Sequence, residues 1–304
     1  MKKLLFLIAA TLSLYAKPTV STSILPTAYF VKQIAADTVN VVSMVGNGDD
    51  PHTYEPRPEQ VKALAKSDIY FGVGIEFEEV WLPKFKDSFK NLQFVDTSKG
   101  IEKIPMQDDD DDDDAPEHIA EHNHDHSHGH DHSGHHHHDH DGLDPHVWLD
   151  PILVQTQAEN IAEALSKAYP QNANLYALNL SNFKQKLKEL NLFIKNELFG
   201  VKGSKFIVYH PSWGYFAKRY DLVQIAIEVE GKEPSATELA KIIDEAKEEH
   251  IKMVFIAPAF SKKAATLIAT QTGAEVAVID QLAYEWDDSM RQTARLLKKA
   301  LSKQ

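Results

Sequence analysis

The chain has 304 residues, enough for a large core or two ordinary domains, and its 43% hydrophobic content excludes a chain disordered throughout. It has no cysteine, which excludes disulfides, thiolate metal ligands, cysteine nucleophiles and a lipidated cysteine. The net charge of −13 is concentrated in residues 107–141, which hold thirteen acidic side chains and no Lys or Arg; the other 32 acids balance 32 bases, a balance that gives nucleic acid or an anionic membrane no footing.

The N-terminus reads MKKLLFLIAATLSLYA. Lys2 and Lys3 form a basic start, Leu4 to Tyr15 an apolar run, and Ala16 a small residue suited to cleavage. Residues 1–16 are therefore expected to be a secretory signal peptide. No other apolar run approaches the ~20 residues of a membrane span. The expected mature protein is exported to the periplasm, soluble, monomeric and without a lipid anchor.

After the leader, short apolar runs alternate with helical patterns. Strands are expected at 19–24, 39–45, 68–74 and 92–98, with a helix at 57–67. Residues 107–141 then break the pattern. They are almost devoid of apolar side chains, so no packed core can include them, and a flexible loop inserted in the first lobe is expected. Further on, Tyr176, Leu180, Phe183, Leu187, Leu190 and Ile194 recur at spacings of four and three, the stripe of one helix over about 173–199 with Gly200 as its stop. At 1.5 Å per residue that helix is roughly 40 Å long, suited to a strut between lobes, although an ordinary surface helix would carry the same stripe. Strands follow at 205–210, 222–227, 252–258 and 275–280, with a helix at 235–250. Strand–helix alternation on both sides of the long helix predicts an α/β fold of two lobes, each a parallel sheet with flanking helices. The expected divisions are 17–170, 171–200 for the linking helix, and 201–304.

Twelve of the sixteen histidines lie in the insertion: His118, His122, His124, His126, His128, His130, His132, His135, His136, His137, His138 and His140. Imidazoles interleaved with carboxylates suit zinc, copper or nickel. Ordering a loop costs entropy, so several weak, exchangeable sites are expected rather than one tight site. The competing reading is a solubilising tract without a metal role, for which acidic residues alone would suffice.

Four histidines lie elsewhere. His250 follows a charged helix and reads as a surface residue favoured by the helix dipole. His52 and His146 each end an Asp-Pro-His sequence, Asp50-Pro51-His52 and Asp144-Pro145-His146, where proline stiffens the backbone before the imidazole. His210 ends an expected strand and precedes Pro211, and Asp280 ends another. Open α/β sheets collect ligands at the carboxyl ends of their strands. Three imidazoles and one carboxylate would make a reasonable tetrahedral zinc shell, though isolated loop histidines are more often simply polar.

The segments DPHTYEPRP, DPHVWLDP, VYHPSWGYFAKRY and AVIDQLA resemble four signature segments of the metal-specific solute-binding proteins of ABC transporters, and most nearly those of the periplasmic zinc binders. The resemblance runs over nearly the whole chain after the leader. It implies two lobes bridged by a rigid helix, with the metal in the cleft between them and a membrane permease as partner. It matches His52, His146 and His210 to the metal-binding histidines and Asp280 to the C-terminal carboxylate. Manganese-binding members usually carry a carboxylate at the position of His210, so Zn2+ is the implied cargo. Pro51 stands where some zinc members have a ligating Glu, which leaves the fourth position between Asp280 and water.

Other readings are a receptor for manganese, iron or nickel, a metal store built around the loop, and a secreted zinc enzyme. The last needs an open coordination site and a general base. The chain has no His-Glu-x-x-His helix, and its candidate ligands are dispersed over more than 220 residues, from 52 to 280.

Overall fold

The computed structural model describes residues 17–106, 142–228 and 232–302. The expected signal peptide and the twelve insertion histidines lie outside the described residues.

The first lobe contains β1 (Thr19–Thr22), α1 (Leu25–Ala35), β2 (Asn40–Ser43), α2 (Pro58–Leu64), β3 (Ser67–Gly72), α3 (Glu76–Ser88) and β4 (Gln93–Asp96). Next come α4 (Leu153–Ala168) and the long α5 (Ala173–Glu197). The second lobe contains β5 (Lys205–Val208), α6 (Gly214–Tyr220), β6 (Val223–Ala226), α7 (Ala236–Glu248), β7 (Met253–Ile256), α8 (Lys263–Thr272) and β8 (Glu275–Val278), and α9 (Trp286–Leu301) follows. All eight expected strands are present; each ends one or two residues earlier than expected, and β3 also begins one residue earlier, at Ser67. The two sheets run β2-β1-β3-β4 and β6-β5-β7-β8, the same order twice, with every pairing parallel.

Parallel strands must be covered on both faces, and the second sheet shows how. Alternate side chains point to opposite faces. Phe206, Val208, Met253 and Phe255 join the large core shared with the first lobe, while Ile207, Val254 and Ile256 join a separate cluster with Ile242 of α7 and Ile268 of α8. Local signals set the helix starts. Ser235 and Glu238 form a reciprocal capping box ahead of α7, and Pro58 occupies the first turn of α2.

The α5 stripe is buried as expected at Tyr176, Phe183, Leu187, Leu190 and Ile194. The helix has 25 residues and ends before Gly200, which lies in a 3₁₀ turn over Phe199–Val201 instead of capping α5. α5 packs against α1, α4 and α9. Trp286 of α9 reaches into the first lobe, edge-on to Phe30 at a centroid distance of 5.0 Å, and donates to the Trp148 carbonyl at 3.0 Å. Trp148 in turn donates to the Gln281 carbonyl at 2.8 Å. This relay ties α9, the His146 loop and the loop after β8 together. Trp286→Ala should lower the unfolding free energy by about 3–5 kcal/mol in an equilibrium urea titration. A loss below about 1 kcal/mol would mean that Trp286 fills no essential part of the shared core.

Among the described residues, no helix is long and apolar enough to cross a membrane.

Candidate metal centre

The carboxyl ends of both sheets face a single cavity. His52 lies on the loop after β2, His146 on the segment between the insertion and α4, and His210 two residues past β5. All three line the cavity, together with Glu76 at the start of α3 and Gln281 just past β8. The cavity has ≈ 20 Å³ of room for a water-sized occupant, space for about one ion or water.

The Asp-Pro-His sequences build matching turns. Asp50 Oδ1 accepts the His52 backbone N–H at 3.0 Å, and Asp144 Oδ1 accepts that of His146 at 2.8 Å. Each aspartate thus folds back over its proline and fixes the chain direction at the histidine. The loops differ in what they do with the ring. Asp144 Oδ1 also meets His146 Nδ1, at 2.7 Å. His52 Nδ1 turns instead to Glu76 Oε2, on another element. His210 Nδ1 meets Glu228 Oε1 at 2.8 Å. Every one of the three imidazoles therefore carries a carboxylate on Nδ1. That partner holds the proton on Nδ1 and leaves the Nε2 lone pair for a cation.

The Nε2 atoms of His146 and His210 face each other at 3.3 Å. With both protons on Nδ1, these are two acceptors without a donor between them. Two nitrogens bonded at about 2.0–2.1 Å to one tetrahedral ion also lie about 3.3 Å apart, so this pair already has the separation a zinc ion requires. The His52 ring stands 4.7 Å from that of His210. Its side chain is 29% accessible, against 7% for His146 and 5% for His210. Among the described residues, no three His, Asp or Glu side chains stand ready around a single metal point. The His146 and His210 nitrogens stand at that separation, and His52 does not complete a third point beside them.

Charge and burial divide the histidines further. Burial pushes the His210 imidazole below its ordinary value; Glu228 partly opposes this, and the neighbouring His146 and His52 add to it. Burial also pushes His52 down, but the hydrogen bond and charge of Glu76, helped by Asp50 and Glu228, outweigh it and leave His52 raised. Tertiary packing holds the His146 loop. Tyr215 of α6 donates to the Asp144 carbonyl at 2.8 Å, and a Cβ on Gly214 would sit 2.8 Å from Asp144 Oδ2, so the approach needs glycine there.

Asp280 does not line the cavity. It is half-buried, burial pushes its carboxyl above the usual range, and its Oδ1 accepts the Leu282 backbone N–H at 2.8 Å, the same backward turn the other aspartates make. The next residue, Gln281, reaches the cavity in its place. His250 is exposed with φ 53°, closing α7 in the left-handed region. The insertion is rooted beside the site: Met106 lines the cavity and donates from its backbone to Gly142, and Pro105 bridges Leu143 in antiparallel fashion.

The family model described as ZnuA, zinc-uptake complex component A, periplasmic, matches residues 20–300. The chain belongs to the ZnuA family. It is 33% identical over 267 residues to the high-affinity zinc uptake system protein ZnuA of Bacillus subtilis, across 86% of this chain and 78% of that one. It is 30% identical over 268 residues to the zinc-binding protein AdcA of Streptococcus pyogenes, across 88% of this chain but only 50% of AdcA. A crystal structure of ZnuA superposes with a TM-score of 0.81 at 37% identity, covering 94% of this chain and all of that one. A ZnuA deletion mutant with zinc bound matches equally well, with a TM-score of 0.81 over 95% of this chain.

In this ZnuA-family chain, Glu76, Glu228 and Gln281 join the site without being among the residues expected from the sequence. Asp144 had a signal in its Asp-Pro-His context. Glu76 and Glu228 had none, because their partners lie 24 and 18 residues away.

Proposed function

We propose that this chain is the periplasmic receptor of an ABC-type zinc importer. It binds one Zn2+ through His52, His146 and His210 and hands the ion to a membrane permease. The observation that carries this reading is the set of three imidazoles, each with a carboxylate on Nδ1, around a cavity of one-ion size. The fourth position belongs to the loop that starts at Asp280, filled by that carboxylate or by water. Imidazole donors suit zinc better than manganese, which favours oxygen. The ion is cargo rather than a catalytic centre, and the chain works as a monomeric carrier. The lobes are 17–170 and 201–304, with 171–200 as the strut, and residues 1–16 direct export to the periplasm without a lipid anchor.

In this reading the twelve histidines from His118 to His140 collect zinc weakly. Deleting residues 107–141 should remove the weak sites and leave one tight site. Calorimetric zinc titration of the full chain and the deletion checks this. The flanks are already paired at Met106 and Gly142, so a short turn can close the gap. Loss of tight binding in a folded deletion protein would count against a separate cleft site. Survival of tight binding after loss of both His52 and His146 would favour the metal-store reading.

A further inference from the structure

Gln281 is 4% exposed, yet its Oε1 has no hydrogen-bond donor. A buried acceptor left without a donor is costly, and native structures leave few of them. The residue lines the same cavity as the three histidines. Its backbone is pinned, because the carbonyl accepts the Trp148 indole N–H at 2.8 Å, and Trp148 lies against His146 with ring centroids 5.0 Å apart. The histidines supply no donor, since each Nδ1 faces a carboxylate and each Nε2 is left as a lone pair. The lining residues therefore include imidazole lone pairs open to a cation and, in Gln281, an amide oxygen still without a donor. A cation alone satisfies the nitrogens. A cation that keeps one water satisfies the nitrogens and the amide oxygen together.

We infer that Gln281 accepts a hydrogen bond from a water kept on the bound ion, so that three histidines and one water hold the cargo while Asp280 shapes the loop without ligating. This rests on the histidine cleft proposed above. Asp280 has the matching role, because its Oδ1 accepts the Leu282 N–H and the residue does not line the cavity. A water in the fourth position also suits a carrier. Water exchanges readily, so an incoming donor from the permease can take that position before any histidine lets go.

The test uses Co2+ as a visible probe at half an equivalent on the full chain, where the tightest site fills first. The expected wild-type spectrum is intense, tetrahedral in type and lost in His146→Ala. Azide, which replaces a bound water, should shift it, and should still shift it in Asp280→Asn. Gln281→Leu should weaken Co2+ and Zn2+ binding about tenfold, the effect of one hydrogen bond to a charged centre. Gln281→Glu keeps an acceptor and should retain affinity, which separates loss of the hydrogen bond from loss of fold. The inference is overturned if azide leaves the histidine-dependent wild-type spectrum unchanged, or if Asp280→Asn loses affinity while Gln281→Leu does not. A spectrum indifferent to His146→Ala would instead overturn the histidine cleft itself.

Discussion

Replacing His210 by alanine is expected to lower zinc affinity by two orders of magnitude or more. His210 stands at the centre of the proposed site: its Nε2 faces that of His146 at 3.3 Å, its ring lies 4.7 Å from that of His52, and Phe260 stacks on it at 5.3 Å. Structural zinc sites gain about 10–16 kcal/mol from roughly four ligands, so one ligand carries about 3 kcal/mol, or about 10²-fold. The change has a second consequence. Glu228 is only 8% exposed and would lose its imidazole partner, costing about 1–3 kcal/mol of stability in the metal-free protein. His210→Glu should also lose zinc affinity and narrow the preference over Mn2+, because it makes the shell harder and more anionic. Competition titration of Mn2+ against Zn2+ reads both effects. His250→Ala alters an exposed residue beyond α7 and should leave zinc binding unchanged. If His210→Ala binds as tightly as wild type, the cleft is not the zinc site.

Acidification should release zinc in two stages. Ligating nitrogens must be unprotonated, so binding competes with protons. Burial pushes His52 down, but Glu76 outweighs it and leaves His52 raised, so it takes up a proton before His210 as pH falls. His210 is lowered by burial and resists protonation until more acidic pH. Affinity should therefore begin to fall above the ordinary imidazole value of about 6.5, by up to tenfold per pH unit, and steepen below it. Between pH 7.5 and 5.5 the expected loss is on the order of 10²-fold. Glu76→Gln removes the charge that raises His52. That variant should bind zinc about 10-fold or more weakly at pH 7.5, because His52 loses its orienting carboxylate, and its acid-induced loss should begin at lower pH. Zinc titrations at a series of pH values measure both. A Glu76→Gln profile superimposed on wild type would show that Glu76 does not govern His52.

Much of this protein was legible in its residues. Eight apolar runs of strand length, separated by helical patterns, determined two parallel sheets, because only covered parallel strands can be apolar on both faces. The four-and-three spacing from Tyr176 to Ile194 determined α5. Its end was misplaced, because a glycine marks a stop only where the backbone must turn left-handed, and Gly200 does not. The Asp-Pro-His sequences and the strand-end position of His210 singled out three imidazoles that line one cavity, while their match to metal-binding histidines came from the resemblance and not from spacing. Local chemistry near a strand end is a short-range property and survives in the order of residues.

What the sequence could not determine was which carboxylate serves which ring. Asp50 and Asp144 stand in identical tripeptides, yet Asp144 holds its own histidine while Asp50 leaves His52 to Glu76. Nor could it show that Asp280 turns toward Leu282 and that its neighbour Gln281 lines the cavity. These outcomes depend on where α3 begins relative to the β2 loop, and on how the Trp286–Trp148–Gln281 relay seats the loop after β8 against the first lobe. A hydrogen bond is decided by tenths of an ångström between groups far apart in the chain, and only the packing of both lobes into one core sets distances that finely.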